Sequence, residues 1–341
     1  MTLTLDLIRR LPKAELHVHL DGCLRPGTML ELAREQGVRL PADTPEALAE
    51  ALFVRNADSL ETYLQRYIYT VSVMQTPQAL ERIAYEFVHD AAQDNIRYVE
   101  VRYCPVLHVP AVSLTQAVEA PLAGIRRAEA ETGTVVRVIV CALRTLPPAV
   151  SEDLARLAVD YRSEGVVAFD LAGAERGHAA GDHVKAFEYA RGNGLSCTCH
   201  AGEGDGPDSI RQALHVCGAH RLGHGTRLGE DPALEQEVIA RQIPLEVCLT
   251  SNVHTHTVPN VTEHPVRGYL ERGVTVTLNT DSRLMDRTTL SDEYWLAHRK
   301  LGFTGADIER VILNAFRGAF LDEEEKARVI AQVEVDLKEI P

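Results

Sequence analysis

The chain has 341 residues, of which 45% are hydrophobic and 25% are charged, a composition typical of a globular enzyme. It carries 49 acidic against 35 basic residues, a formal charge of −14 that argues against nucleic-acid and anionic-membrane partners. The first residues lack a signal-peptide pattern, no run of about 18 apolar residues occurs, and seven cysteines form no secreted disulfide framework. We therefore expect a soluble, cytoplasmic protein.

Short apolar runs separated by helix-length segments predict eight buried parallel strands. In chain order they are residues 14–22, 97–103, 135–141, 166–171, 195–200, 221–225, 245–249 and 275–278. Eight β/α units in one chain predict an α/β fold of the (β/α)8 TIM barrel type. Because no linker or composition shift divides the sequence, we expect a single domain over residues 1–341.

Two segments fall outside this repeating pattern. Residues from about 26 to 95 are predicted to form a helical insertion after the first strand, and about 291–341 to form C-terminal helices. Within the insertion, residues 60–67 have apolar positions at helical spacing. That pattern favours core packing, and a hydrophobic lid over a site is the alternative.

The first strand carries two histidines on one face. His17 and His19 are two residues apart, so on a strand their side chains project together, and Asp21 follows where the strand ends. Two neighbouring imidazoles suit a transition metal, of which zinc is the commonest for nitrogen and oxygen ligands. Taken alone, the run more often marks a pair of hydrogen-bonded core histidines than a metal site.

Five further polar residues and one glycine lie at the carboxyl ends of the later strands. They are Gly173, His200, Glu203, His224, Asn252 and Asp281. The carboxyl ends of barrel strands converge on one rim, where active sites lie. We therefore expect these residues to meet His19 and Asp21 in space.

Six motifs resemble those of the adenosine deaminase family, in the family's order and across nearly the whole chain. They are residues 12–22, 99–103, 170–173, 200–203, 223–225 and 279–281. The resemblance implies hydrolytic deamination of adenosine or 2′-deoxyadenosine to inosine or 2′-deoxyinosine with release of ammonia. Such an enzyme is a hydrolase of purine metabolism, an aminohydrolase acting on C–N bonds in cyclic amidines.

The resemblance also implies a cofactor, one Zn²⁺ per chain. Its ligands would be His17, His19, His200 and Asp281. A two-metal barrel would usually have a bridging lysine at the end of the fourth strand, and residues 170–173 contain none. One metal is therefore expected.

Three residues are implied to carry the chemistry. Glu203 would donate a proton to purine N1, and it must be protonated to do so. His224 would orient the attacking water and stabilise the developing alkoxide. Asp281 would help to remove the proton from that water.

The substrate contacts implied by the resemblance involve both backbone and side chains. The backbone N–H of Gly173 would donate to ring N3, since a glycine lets the backbone approach closely. His19 and Asp21 would hold the 5′ hydroxyl of the ribose. A carboxylate there would repel a 5′ phosphate, so a small-molecule purine nucleoside is the expected partner.

One position departs from the family pattern. The family usually shows a second aspartate facing purine N7, and here Asp281 is followed by Ser282 and then by Arg283, a cation expected near the rim. A serine hydroxyl can still donate to N7. Alternatively, Ser282 marks another 6-aminopurine substrate, either a 5′-substituted adenosine such as aminodeoxyfutalosine or adenine itself.

Two other classes of function stay open from the sequence. The same barrel could serve a phosphoesterase or lactonase, although an anionic substrate would want several Lys or Arg at the strand ends. A catalytically inactive nucleoside-binding protein is the second, and the presence of both Glu203 and His224 argues against it.

Overall fold

Eight parallel strands form one sheet in which each strand pairs with the next along the chain. This computed structural model describes residues 3–55, 57, 59–109 and 111–339. The strands are β1 (Lys13–His19), β2 (Ile96–Tyr103), β3 (Val135–Leu143), β4 (Val166–Ala172), β5 (Ser196–Ala201), β6 (Arg221–His224), β7 (Leu245–Val247) and β8 (Val276–Leu278). The expected (β/α)8 architecture is present.

Helices surround the sheet and fill the segments before, between and after its strands. Those up to β4 are α1 (Leu5–Arg10), α2 (Pro26–Gln36), α3 (Pro45–Leu52), α4 (Leu60–Leu64), α5 (Tyr67–Ser72), α6 (Pro77–Gln93), α7 (Leu114–Thr132) and α8 (Pro148–Asp160). The later ones are α9 (Val184–Gly192), α10 (Pro207–Arg211), α11 (Pro232–Ala240), α12 (Leu249–His254), α13 (Val266–Arg272), α14 (Arg283–Asp286), α15 (Leu290–Leu301), α16 (Gly305–Gly318) and α17 (Glu323–Glu339). Within the described ranges, none combines the length and apolarity needed to cross a bilayer.

The ring closes between β1 and β8 through a few hydrogen bonds instead of a full ladder. Asp281 forms an isolated parallel bridge with β1, in which His19 donates its N–H to the Asp281 carbonyl at 2.8 Å and Asp281 donates to the His17 carbonyl at 3.1 Å. Two residues before Asp281, the side-chain oxygen of Asn279 accepts from the N–H groups of Leu16 and His17. We call this closure the seam.

Two strands end at least two residues earlier than the sequence predicts. The run 14–22 was expected to be strand throughout, but pairing with β2 ends at His19, and Leu20–Gly22 form a single 3₁₀ turn. Asp21 therefore lies on a turn. Likewise, pairing of β7 with β8 ends at Val247, so Leu249 begins α12 and is not part of the strand.

Two arginines and three carboxylates form a cluster inside the ring, which we call the ion layer. Arg102 of β2 contacts Asp170 of β4 at 2.8 Å and Glu246 of β7 at 2.9 Å. Arg221 of β6 contacts Glu246 at 2.6 Å and Glu100 of β2 at 2.5 Å. Because β2 and β7 are not neighbours in the sheet, these contacts cross the barrel interior.

Candidate active site

Four potential metal ligands converge at the carboxyl ends of β1, β5 and β8. The ligand atoms of His17, His19, His200 and Asp281 all lie within 4.8 Å of one another. His19 Nε2 is 3.2 Å from His200 Nε2 and 3.4 Å from an Asp281 oxygen, which is 3.5 Å from His17 Nε2. Zinc–nitrogen bonds of about 2.0–2.1 Å in a tetrahedron place ligands about 3.4 Å apart. The spacing therefore fits a four-coordinate metal ion.

The ion layer orients two of these imidazoles. His17 Nδ1 is 2.8 Å from Glu246, and His200 Nδ1 is 3.1 Å from Asp170, so both rings donate through Nδ1 and turn an Nε2 lone pair towards the cluster. The Nε2 atom of His17 is buried and has no hydrogen-bond partner within the described part of the chain. A carboxylate behind each histidine is the usual support of a metal-binding imidazole. The residues present thus fit the metal that the sequence predicts.

Asp281 is held in place by the backbone and by a neighbouring hydroxyl. Its φ of 63° is in the left-handed region, which is uncommon for a residue with a side chain. Ser251, in α12, donates its hydroxyl to the carboxylate at 2.7 Å. Burial alone would raise the pKa of Asp281, but the neighbouring imidazoles of His17 and His19 hold it well below its usual value. Asp281 is therefore a carboxylate, the form that binds metal.

Glu203 lies beside this cluster in a different electrostatic setting. Burial, together with the charges of Asp281 and Glu175, raises the pKa of Glu203 well above its usual value. One carboxyl oxygen has no hydrogen-bond partner in the described residues, and the other is 3.4 Å from His224 Nε2. The side chain is therefore a protonated acid with a free oxygen at the cavity.

The loop that carries Glu203 is anchored by Glu175, which the sequence analysis did not single out. The Glu175 carboxylate accepts backbone N–H groups from Gly202 at 2.6 Å and from Glu203 and Asp205 at 3.0 Å each. Only its position two residues after Gly173 could have drawn attention to it, since a loop glutamate is most often exposed. Here it is buried.

A cavity of about 430 Å³ opens from the cluster towards α4 and α5. Its lining includes the predicted residues His19, Asp21, Gly173, His200, Glu203, His224 and Asp281. Apolar side chains of the insertion, Leu60 and Leu64 among them, also line the cavity, and a lid formed by residues 60–67 stays a prediction. Among the described residues that line the cavity there is no Lys or Arg.

Gly173 and Asp21 occupy positions at the cavity that suit recognition of a ligand. Gly173 has a φ of 94°, a conformation that favours glycine and brings its backbone close to the cavity. Asp21 is buried, and one of its oxygens has no hydrogen-bond partner in the described chain. Burial and the charge of Asp281 raise the pKa of Asp21 to about 7.

Ser282 is fully buried and stands behind the cavity wall. Its hydroxyl is 2.5 Å from that of Tyr67, which does line the cavity. It also packs so closely on Gly22 that a Cβ there would lie 2.8 Å from the serine oxygen. A direct contact of Ser282 with a bound base stays a prediction.

Arg283 does not serve as the rim cation that the sequence predicted. Its guanidinium pairs with buried Glu15 of β1 and stacks over the ring of Phe87 at 4.9 Å. The ion pair turns the charge into the protein and away from the cavity. Arg283 therefore gives no support to an anionic substrate.

Comparison with known proteins places this arrangement in a family. The family model described as adenosine deaminase matches residues 12–336. The chain belongs to the adenosine deaminase family. It is 43% identical to a protein named adenosine deaminase from Mycolicibacterium vanbaalenii, with 97% of this chain and 96% of that protein covered. It is 41% identical to a probable adenosine deaminase from Dictyostelium discoideum, with 94% of this chain covered but only 42% of that longer protein.

Solved structures show the same barrel. An amidohydrolase from Burkholderia ambifaria with bound zinc is 26% identical, with a TM-score of 0.92 and coverage of 100% of this chain and 95% of that one. An adenine deaminase from Arthrobacter aurescens is also 26% identical, with a TM-score of 0.87 and coverage of 96% and 99%. Both likenesses extend over essentially the whole chain of this adenosine deaminase family member.

Proposed function

We propose that this protein is a zinc-dependent aminohydrolase that converts adenosine and 2′-deoxyadenosine to inosine and 2′-deoxyinosine with release of ammonia. The observation that carries the proposal is a buried carboxyl group, that of Glu203, beside four convergent metal ligands in one cavity. Family membership and the names of its relatives agree with this chemistry.

The metal site would hold one zinc ion through His17, His19, His200 and Asp281. A metal bound there lowers the pKa of a coordinated water to roughly 7 and so supplies a nucleophile at neutral pH. The zinc-bound structural relative supports this choice of metal. The tautomers of His17 and His200 support the ligand set, since each presents an Nε2 lone pair to the cluster.

Glu203 would protonate ring N1 of the purine. Protonation there withdraws electrons from C6 and makes that carbon open to attack by water. Because burial raises the pKa of Glu203, the side chain is ready to donate at neutral pH. His224 would stabilise the oxygen that develops at C6, and Asp281 would accept a proton from the attacking water.

The remaining contacts would select a neutral nucleoside. The Gly173 N–H would meet ring N3, and the Asp21 carboxyl with His19 would meet the 5′ hydroxyl. Ser282 would meet N7. A cavity whose described lining lacks Lys and Arg offers a 5′ phosphate no counter-charge.

Two other candidate substrates, adenine and a 5′-extended adenosine, each have some support. An adenine deaminase is among the structural relatives, and a cavity of about 430 Å³ also leaves room for a 5′-extended adenosine such as aminodeoxyfutalosine. Free adenine would leave Asp21 with no hydroxyl to bind. Adenosine therefore remains the substrate that the site favours.

A substrate screen tests the proposal. Purified protein is assayed with adenosine, 2′-deoxyadenosine, adenine, AMP and a 5′-extended adenosine, by ammonia release and ultraviolet shift. The nucleosides should give the highest kcat/KM and AMP the lowest. Preference for adenine or the extended nucleoside would replace the assigned substrate, and no deamination of any 6-aminopurine would refute the proposal.

Metal content is tested separately. Elemental analysis of protein prepared without chelators should find about one zinc per chain, the number that four ligands at one centre can hold. Two equivalents, both required for activity, would contradict a single-metal site.

A further inference from the structure

We propose that Asn252 and His264 are positioning residues that set the ring tautomer of His224, so that His224 carries its proton on Nε2 and acts as a hydrogen-bond donor. This inference rests on the proposed function and extends it to two residues that do not line the cavity. Three hydrogen bonds carry it, and the donor and acceptor of each bond determine those of the next.

The first bond fixes His264. Its Nδ1 is 3.2 Å from the backbone N–H of Val266, the first residue of α13. A backbone N–H can only donate, so Nδ1 is the unprotonated nitrogen and the proton of the neutral ring is on Nε2. Burial lowers the pKa of His264 to about 3, which keeps the ring neutral.

The second bond fixes the side-chain amide of Asn252. His264 Nε2 donates to the Asn252 side-chain oxygen at 3.1 Å. The hydroxyl of Thr226 lies 3.0 Å from the same oxygen. A hydroxyl can donate or accept, so Thr226 alone would not choose between the two orientations of the amide. His264 fixes the orientation of the amide, because its protonated Nε2 can only donate and must therefore face the amide oxygen.

The third bond determines the ring tautomer of His224. The Asn252 amide nitrogen is 3.1 Å from His224 Nδ1 and has only hydrogens to offer. His224 Nδ1 must therefore accept. A doubly protonated ring would set an N–H of His224 against an N–H of Asn252, so the geometry also disfavours the imidazolium.

The catalytic consequence concerns His224 Nε2. This atom is 3.4 Å from Glu203, and the ring lines the cavity beside the metal ligands. With its proton on Nε2, His224 can donate to an oxygen at C6 and cannot take a proton from the attacking water. That proton must go elsewhere, and the Asp281 carboxylate, which belongs to the ligand cluster and also lines the cavity, is placed to accept it.

Nitrogen NMR tests the tautomer without any assay of activity. Protein labelled with ¹⁵N at the histidine rings is examined, free of metal and with zinc, by long-range ¹⁵N–¹H correlations. The His224 signals are assigned by comparison with His224→Gln. We expect Nε2 protonated and Nδ1 unprotonated in both samples. A His224 that is protonated on Nδ1 in wild-type protein overturns the proposal.

Asn252→Asp keeps nearly the same side-chain shape but replaces the amide donor that faces His224 Nδ1 with a carboxylate oxygen, which can only accept. The new carboxylate accepts from Nδ1, so the ring proton should move to Nδ1 and the donor at Nε2 should be lost. We expect kcat to fall about 10²–10³-fold, the usual cost of one donor to a developing oxyanion. KM and zinc content should stay close to wild type. A normal kcat with an inverted tautomer contradicts the role assigned to His224.

A second pair of variants decides the question if Asn252→Asp fails to fold. His264→Gln keeps a side-chain N–H for the Asn252 oxygen and should retain most of kcat. His264→Leu removes that donor and should lower kcat with little change in KM. Equal kcat for the two variants overturns the role of His264.

Asn260→Asp is the matched control, because it makes the same chemical change at an exposed helix cap. It should leave both the tautomer and kcat unchanged. A wild-type protein that deaminates no 6-aminopurine would refute the proposed function while the NMR experiment still reports the tautomer. The two failures are thus distinguishable.

Discussion

Buried carboxylates occur in two adjoining regions of this barrel and behave in opposite ways. In the ion layer, burial opposes ionisation of Asp170 and Glu246, but neighbouring arginines and histidines hold the pKa of each well below its usual value. In the cavity a few ångströms above, burial raises the pKa of Asp21 and Glu203 instead. All four side chains are buried, so the presence of a cationic partner decides the charge.

The difference separates supporting carboxylates from reacting ones. A carboxylate paired with Arg102 or Arg221 stays ionised and can hold an imidazole in one orientation. A carboxylate without such a partner keeps a proton that it can donate to a ligand. The same side chain therefore has two uses, according to whether a cationic partner, arginine or histidine, holds it ionised.

The largest effect is expected from Glu203→Gln, which keeps the shape of the unpaired side chain but removes its acidic proton. We expect kcat to fall about 10²–10⁴-fold, the usual scale of general acid catalysis. Zinc and substrate binding should persist, as measured by elemental analysis and by calorimetry. The exposed Glu188→Gln is the control, and a normal kcat in Glu203→Gln would show that another group protonates N1.

Glu246→Gln tests the other side of the comparison, because it removes a charge that faces two arginines. Leaving Arg102 and Arg221 under-paired should cost about 3–5 kcal/mol of unfolding free energy. The altered contact with His17 should weaken zinc binding about 10–100-fold. Denaturant unfolding and competition with a chelator measure the two effects.

An exposed ion pair supplies the control for this experiment. Glu237→Gln breaks the contact with Arg241 and should change stability by about 0–1 kcal/mol. If the two variants lose equal unfolding free energy, the ion layer contributes no more to stability than an exposed ion pair does.

Glu293 extends the comparison to a buried carboxylate outside the site. Its carboxyl group accepts from the hydroxyls of Thr250 and Thr288 and from the backbone N–H of Thr250, and burial raises its pKa to about 7. A raised pKa in the folded state means that its stabilising contribution is complete below about pH 4.5 and is lost as the pH rises through about 7. The loss is on the order of 3 kcal/mol at most, since one pKa unit is worth about 1.4 kcal/mol.

Glu293→Gln should remove this pH dependence. Wild-type protein should lose unfolding free energy between pH 4.5 and pH 8 relative to the variant, as urea denaturation at both pH values will show. Glu188→Gln, an exposed change of the same kind, should follow wild type. A difference between wild type and Glu293→Gln that stays constant with pH would mean that Glu293 is ionised when buried.

The smallest effect is expected from Ser282→Ala. Loss of one neutral hydrogen bond, about 0.5–1.5 kcal/mol, should lower kcat/KM roughly 2- to 13-fold. If Ser282 meets N7, the variant should discriminate less than wild type between adenosine and 7-deazaadenosine. Equal discrimination would assign the serine to holding Tyr67, its partner in the structure.

The architecture could be predicted from the sequence because its signals are local. Each strand is a compact apolar run, and residues such as His200 and Asp281 follow directly where a run stops. Eight such units leave few arrangements other than a barrel, and the barrel brings the strand ends together. The candidate ligands could thus be grouped before any contact between them was known.

The ion layer and the positioning residues could not be predicted in this way. Arg102 and Glu100 alternate with apolar residues on β2, a pattern that also describes a strand with one face in solvent. Two of their partners, Arg221 of β6 and Glu246 of β7, lie more than a hundred residues later and meet them only across the closed ring. Glu175 and His264 were likewise missed, since their roles depend on contacts between distant segments.

The seam between β1 and β8 has a consequence for how the protein matures. His17 and His19 stand on one side of it and Asp281 on the other, at nearly opposite ends of the chain. A nascent chain that has not yet added its last strand therefore has an incomplete ligand set. Metal that binds only the closed ring adds RT ln(1 + [metal]/Kd) to the free energy of unfolding. Bound zinc would therefore stabilise only those chains whose last strand has closed the ring.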